Sequence, residues 1–349
     1  MTVAPAFVQA DRTGRVLFKG QAHSPDLVLE HALGPAFTAY RRKWETAGRF
    51  EYRPEFPLHL DVDTNFTCNL RCVMCPLGVE GFPVAYEEKH LDFELYRRVI
   101  ATGAPKGLAS VRLGLTGEPL LRPDIIEFVR LARTAGLVDI MLITNGQLLT
   151  PPISRSLIDA GLTRLMVSLD AVRPETYRRI RRGGSLDRVV RNIMTFLELR
   201  RRQGRDWPLL RVSFIRMTLN LEEAEEFEDY WRDKADYIGF QQYSNILERP
   251  DTDFSPAGRT SPDFFRCPDP WQRLSLLVNG DLFPCCSDFG RLAPLGNARR
   301  DETSRVWESA AAERLRDLHK DGRWREDHIC RRCVRASAGI DPGLSGNGS

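Results

Sequence analysis

Asp61–Gly78 reads DVDTNFTCNLRCVMCPLG, and its three cysteines, Cys68, Cys72 and Cys75, fall in the spacing C-x3-C-x2-C. A cubane iron–sulfur cluster has four irons and normally takes four thiolates. Three clustered thiolates leave one iron without a protein ligand, an open position of the catalytic kind. The residues just before, Leu58-His59-Leu60-Asp61-Val62-Asp63, alternate apolar and polar and read as a strand. The thiolates then lie on a loop leaving a strand's end, where α/β barrels keep their chemistry. The bland alternative is a structural zinc site or buried thiols. Zinc sites usually come as two C-x2-C pairs or one such pair with two histidines, and neither lies nearby in the sequence.

The run CNLRCVMC resembles the signature of the radical S-adenosylmethionine (radical SAM) enzymes, C-x3-C-x-Φ-C with Φ usually aromatic. Met74 takes the Φ place here, and it is apolar and able to cover an adenine. The resemblance implies a [4Fe–4S] cluster on Cys68, Cys72 and Cys75, with SAM chelating the open iron through its amine and carboxylate. It also implies reductive cleavage of SAM to a 5′-deoxyadenosyl radical that takes a hydrogen atom from substrate. An electron donor such as a flavodoxin or ferredoxin follows from the same resemblance.

The 349 residues suffice for one large unit and a small one. Hydrophobic content of 42% and charged content of 28% are ordinary for a soluble globular protein. A net charge of +3 gives no reason to expect a nucleic-acid or membrane partner. No run approaches the ~18 apolar residues of a membrane span, and the N-terminus lacks the pattern of a secretion signal. Eight cysteines in such a chain point to metal or redox chemistry in a reducing, cytoplasmic setting rather than to disulfides.

Outward from the cysteine loop, residues 1–57 read as a helical lead-in, with Gly34 and Pro35 interrupting Leu27–Gly48. Residues 58–242 alternate strand and helix. The strands are 108–115, 138–144, 164–169, 209–217 and 237–242, and the helices between them include 124–135, 153–160, 174–202 and 221–234. That alternation implies a parallel sheet with right-handed crossovers. Six such units match the partial (β/α)6 barrel of the radical SAM family. Residues 243–266 are polar with Pro and Gly and read as a linker or lid, with Tyr243 and Asn245 as candidate pocket wall. Residues 267–335 form a second, smaller iron–sulfur unit, and 336–349 a flexible tail.

On the barrel, Thr116-Gly117-Glu118-Pro119 resembles the family's glycine–glycine–glutamate motif. The likeness assigns the SAM amino group to Gly117 and Glu118; the alternative is a solvated acid in a turn. Asn145, in the turn signal Asn145-Gly146, stands near the family's SAM site. Ser168 and Asp170 stand where the family has a ribose motif, although Asp170 serves equally well as a helix cap. Arg216 is either a partner of the SAM carboxylate or a surface arginine. The basic runs 178–184 and 200–205 read as solvated helix faces.

Cys267, a hairpin over 274–284, Cys285 with Cys286, and finally Cys330-x2-Cys333 supply enough thiolates for a second, closed cluster. The order resembles the twitch, or shortened SPASM, extension of radical SAM enzymes. That resemblance assigns an auxiliary [4Fe–4S] cluster to Cys267, Cys285, Cys330 and Cys333. Zinc is the alternative occupant. Cys286 remains over, as a substitute ligand, a buried thiol or a hydrogen-atom donor. His319 and His328 read as surface residues. The chain resembles the aminocyclitol dehydrogenases of antibiotic pathways, which implies hydrogen abstraction from a small carbohydrate-like substrate (sugar, aminocyclitol or nucleoside), ending in dehydrogenation or epimerisation. A peptide-modifying enzyme of the same superfamily is the second reading, and a non-catalytic metal scaffold the third.

Overall fold

The computed structural model describes residues 8–11, 14–18, 25–80, 86–245, 250, 253–256, 265–285 and 293–336. The chain opens with a hairpin, β1 (Val8–Asp11) and β2 (Gly14–Phe18), which the sequence reading had missed in favour of helix alone. Two helices follow, α1 (Pro25–Leu33) and α2 (Pro35–Gly48), broken at Gly34 and Pro35. Strand β3 (His59–Val62) leads into the cysteine loop, which holds the short β4 (Arg71–Cys72). Helix α3 (Phe93–Gly103) returns from it and starts at Asp92, whose carboxylate accepts the Glu94 N–H at 3.0 Å.

Strand–helix repeats then run through β5 (Ser110–Leu113), α4 (Ile125–Thr134), β6 (Asp139–Thr144), α5 (Pro151–Asp159) and β7 (Arg164–Ser168). They continue with α6 (Pro174–Ile180), β8 (Arg181–Arg182), α7 (Leu186–Arg202), β9 (Leu209–Arg216), α8 (Ala224–Trp231) and β10 (Tyr237–Gln242). Just beyond α4, Gly136 has φ 90°, the left-handed conformation that ends helices without a Cβ penalty. The six barrel strands β3, β5, β6, β7, β9 and β10 are parallel neighbours, as the alternation predicts.

Alternation along these strands separates two faces. Leu60, Val62, Val111, Leu113, Leu142, Val167 and Val212 join Leu95, Val99 and Phe128 of the helices in one apolar core. The opposite face of β3 carries His59 and Asp61, both buried, in a polar network. His59 Nδ1 lies 2.8 Å from Ser110 Oγ, and Nε2 lies 2.9 Å from Asp61 Oδ1. Arg112 reaches the same carboxylate oxygen at 2.7 Å. Helices α1 and α2 cover the strands' N-terminal ends, where Leu29, Phe37 and Tyr40 pack with Leu58, Leu209 and Tyr237. Arg164, at the first position of β7, bonds Asp26 of α1 at 2.6 Å.

The sheet continues past the barrel. Helix α9 (Asp269–Gln272) leads to β11 (Arg273–Leu276), β12 (Asp281–Phe283) and β13 (Gly296–Asn297). Strand β11 pairs with β3 in parallel, and β2 pairs with β10. The full order is β1-β2-β10-β9-β7-β6-β5-β3-β11-β12-β13. The second unit therefore grows out of the barrel's own sheet beside the cysteine strand. Helices α10 (Thr303–Trp307), α11 (Ala310–Lys320) and α12 (His328–Ala336) complete it. Among the described residues, no helix is long and apolar enough to cross a membrane.

Candidate metal centres

The cysteine loop is held as a set of short turns. Cys75 N–H donates to the Cys72 carbonyl at 3.1 Å, and Gly78 N–H to the Cys75 carbonyl at 2.8 Å. Strand β4 pairs antiparallel with β8, and Val73 N–H donates to Ile180 O at 3.0 Å, which stitches the loop to the segment after β7. Burial pushes all three thiols up, with neighbouring thiolates adding to the shift at Cys72 and Cys75 and the Glu118 carboxylate at Cys68; Cys75 reaches about 12. Such thiols keep their protons at neutral pH until a metal displaces them.

Glu118 sits above this loop, 2% exposed. Its Oε1 accepts from Thr144 Oγ1 at 2.6 Å and Leu120 N–H at 3.1 Å, and its Oε2 from Asn145 N–H at 2.7 Å. Burial raises its pKa, and these donors only partly offset that. Three neutral donors leave room for one more hydrogen bond on a carboxylate that burial makes costly to ionise. An ammonium there would relieve that cost. At Gly117 a Cβ would come within 2.2 Å of Asn65 O and 2.6 Å of Thr67 O, so only glycine allows the backbone so close to the loop. Asn145 Nδ2 donates to Asn69 Oδ1 at 2.9 Å, which ties the third strand's end to the residue beside Cys68. The expected set Cys68, Cys72, Cys75, Gly117, Glu118 and Asn145 is therefore together. A buried carboxylate and a glycine cradle beside three mutually repelling thiols fit a cluster with an amine-bearing ligand.

Met74 is half-buried against the cluster of Val73, Ile180, Met217 and Tyr243, and Ser168 is half-buried at the end of β7. Asp170 departs from both expectations made for it. It is fully buried with φ 63°, its Oδ1 accepts Ile215 N–H at 2.7 Å, and its Oδ2 is paired with Arg181. Its carboxylate neither caps α6 nor points free toward a ribose. Arg216 is half-buried at the end of β9, with its guanidinium 4.9 Å from the Phe240 ring. An arginine that reaches the cysteines is Arg181, inside the run read as a solvated face. It is 7% exposed, and its Nη1 lies 3.7 Å from Cys72 Sγ. The antiparallel pairing of β8 with β4 folds it inward.

The second centre is assembled from distant segments. Cys267, Cys285, Cys330 and Cys333 line one cavity, whose other walls include Phe265, Pro284, Leu315 and Ile329 beside Asp269, His319 and Asp327. Mostly apolar walls around four thiols suit a fully ligated cluster. None of the seven described cysteines is in a disulfide. Cys286, and with it the hydrogen-donor idea, lies outside the described residues, as does much of 243–266. His319 is a further correction. It is buried to 1% exposure, accepts Cys267 N–H through Nδ1 at 3.0 Å, and places Nε2 3.2 Å from Cys330 Sγ. His328 is exposed as expected.

Two family models match this chain: the radical SAM superfamily over residues 64–231, and the SPASM iron–sulfur cluster-binding domain over 267–334. The chain carries a radical SAM domain followed by a SPASM domain. The radical SAM domain brings SAM and a [4Fe–4S] cluster, and the SPASM domain an auxiliary iron–sulfur cluster. Among curated relatives, GTP 3′,8-cyclase of Heliobacterium modesticaldum is 41% identical over 132 residues, 38% of this chain and 39% of the relative. GTP 3′,8-cyclase of Limosilactobacillus fermentum is 35% identical over 185 residues, 52% of this chain and 53% of the relative. This radical SAM chain thus spans about half or less of the length of these relatives. Solved structures share the fold. BtrN in complex with AdoMet and 2-DOIA gives a TM-score of 0.53 at 18% identity, covering 80% of this chain and 94% of that one. Native anSMEcpe with bound AdoMet gives 0.59 at 15% identity, covering 82% and 92%. Sequence reading missed Arg181 and His319 in this radical SAM protein. Their signal lay in pairings, a two-residue ladder and a helix packed on distant cysteines, that no local spacing carries.

Proposed function

We propose that this radical SAM protein takes a hydrogen atom from a small carbohydrate-like substrate (a sugar, an aminocyclitol or a nucleoside) and ends in loss of a further electron or in epimerisation. The observation that carries this reading is the auxiliary cavity, which four cysteines line. A cluster with every iron on a thiolate is suited to passing electrons rather than to holding substrate. When bound, the barrel cluster and SAM supply a 5′-deoxyadenosyl radical.

The chain's residues do the rest. Cys68, Cys72 and Cys75 hold three irons and leave the fourth for SAM. Glu118 takes the SAM ammonium at its remaining acceptor position, with Gly117 giving the backbone clearance. Asn145 fixes the loop beside Cys68, Ser168 is the ribose-facing candidate, and Met74 borders the adenine side. Asp170 keeps Arg181 beside Cys72, and Arg181's positive charge offsets thiolate charge there. A one-electron donor protein is the partner this scheme requires.

A second reading takes a purine nucleotide as the substrate. It is favoured by local identity to proteins named GTP 3′,8-cyclase. One experiment separates the two. The anaerobically reconstituted protein is incubated with SAM, a strong reductant and perdeuterated candidates, and deuterium in 5′-deoxyadenosine is read by mass spectrometry. Label from an aminocyclitol or sugar with an oxidised product supports the first reading. Label from GTP alone supports the second. Label from neither class, with SAM cleavage intact, overturns both.

A further inference from the structure

His319 stands near the end of α11, away from the barrel site, and the scheme above leaves it unused. Its surroundings determine its state. A backbone N–H donates only, so the Nδ1 that receives Cys267 N–H at 3.0 Å carries no proton. The ring's single proton is then on Nε2, which faces Cys330 Sγ at 3.2 Å. The ring is also fixed sideways by Phe265, edge-on at 6.1 Å, with Phe265 in turn edge-on to Trp324 at 6.0 Å. At 1% exposure no water competes for that N–H. The imidazole therefore joins a ligand from the start of the auxiliary unit to one from its last helix. Asp327 Oδ1 accepts Cys330 N–H at 3.0 Å and holds the same cysteine from its backbone side.

We propose that His319 is a positioning residue of the auxiliary centre: its Nε2–H donates to Cys330 Sγ and raises that centre's reduction potential. The proposal rests on the reading that Cys267, Cys285, Cys330 and Cys333 hold a cluster. A hydrogen bond to a ligating sulfur withdraws electron density from the thiolate and favours the reduced cluster. Because the donor is a neutral imidazole held by Cys267 N–H on one side and by the Phe265 edge, its direction is set before the cluster forms. A centre tuned upward accepts an electron from a substrate radical more readily.

The test uses the full chain carrying Cys68→Ala, Cys72→Ala and Cys75→Ala, so that the auxiliary centre alone gives a signal. Potentiometric titration is followed by electron paramagnetic resonance. His319→Leu should lower the potential by at least tenfold in the reduction equilibrium, about 59 mV for one electron. His319→Gln, whose amide accepts and donates along the same two directions, should lie between. A leucine variant that binds its iron and keeps the wild-type potential overturns the proposal. If that variant fails to hold iron, the unsubstituted protein decides. With 15N-histidine, electron–nuclear double resonance should show one weakly coupled nitrogen, together with a proton exchangeable in D2O. No coupling, or the strong coupling of an iron-bound nitrogen, refutes the inference. No iron at all in the triple-cysteine background refutes the cluster reading itself and takes the proposal with it, an outcome distinct from iron bound without coupling.

Discussion

The two thiol sites are built by opposite means. Cys68, Cys72 and Cys75 lie within one short loop, turned by its own backbone bonds and anchored by a two-residue ladder to β8. Cys267, Cys285, Cys330 and Cys333 come from three separate segments and meet only when the hairpin and α12 are in place. The first site is bordered by a buried carboxylate and a glycine cradle, the second mainly by apolar side chains, with Asp269, His319 and Asp327 also in its wall. Three thiols leave a coordination position, and Glu118 stands beside it with an acceptor to spare; four thiols leave none. Difference in ligand count thus coincides with difference in surroundings, and the proposed division between a SAM-binding and an electron-passing centre rests on that contrast.

The sharpest way to break this contrast is Cys75→Ala, which should reduce 5′-deoxyadenosine formation to background while the auxiliary iron stays bound. Undiminished cleavage, read by chromatography, would mean the loop is not the SAM site. Next is Cys333→Ala. It should retain uncoupled SAM cleavage, lose about four irons per chain, and yield no substrate product; a variant that still turns substrate over would reduce the second site to a structural role. Third, Arg181→Met leaves the Asp170 carboxylate buried with one backbone donor. Breaking such a pair should cost about 3–5 kcal/mol, visible in a denaturant titration, with auxiliary iron unchanged. A loss under 1 kcal/mol would show that the pair does not hold the loop.

The smallest expected effect concerns pH. Burial pulls the His59 pKa below the usual imidazole value, although Asp61 pulls the other way. Unfolded chains, with an imidazole near 6.5, therefore bind the proton first as pH falls. Stability from this group is complete above about pH 6.5 and declines below it. Burial alone would raise Asp61, but Arg112, His59 and Arg273 outweigh it and hold it well below the usual carboxylate range. Its contribution survives until pH falls under about 4. Between pH 7 and 5.5 the barrel should lose stability, by at most about 1 kcal/mol, the limit set by the unfolded imidazole, and His59→Gln should flatten that slope. A slope of the opposite sign would mean the imidazole is charged in the fold.

Legibility followed the range of the interactions. The six parallel strands were readable because strand and helix alternate along residues 58–242, and Gly136 marks a helix end by itself. The cysteine triad and Glu118 were readable because their spacing is local. Arg181 was not, since a run of basic residues looks solvated until a two-residue ladder turns one of them inward. His319 looked like surface for the same reason; only the meeting of α11 with Cys267 and Cys330 buries it. Asp170 was placed correctly at a strand's end, but the local sequence gave no sign of Arg181 or the Ile215 N–H as its partners. The β1–β2 hairpin was missed because its partner strand, β10, lies far along the chain.

The parallel pairing of β11 with β3 has a practical side. A row of unpaired N–H and C=O groups on an exposed strand recruits other chains. Here both flanks of the parallel barrel are already occupied, β10 by the amino-terminal hairpin and β3 by the carboxy-terminal one. Cutting the chain after the barrel would thus uncover the very strand that delivers the cysteine loop. The barrel's edge is in effect kept covered by the SPASM unit, so the two should be inherited, expressed and exchanged as one unit, with the cut placed before β1 or after α12 and nowhere between.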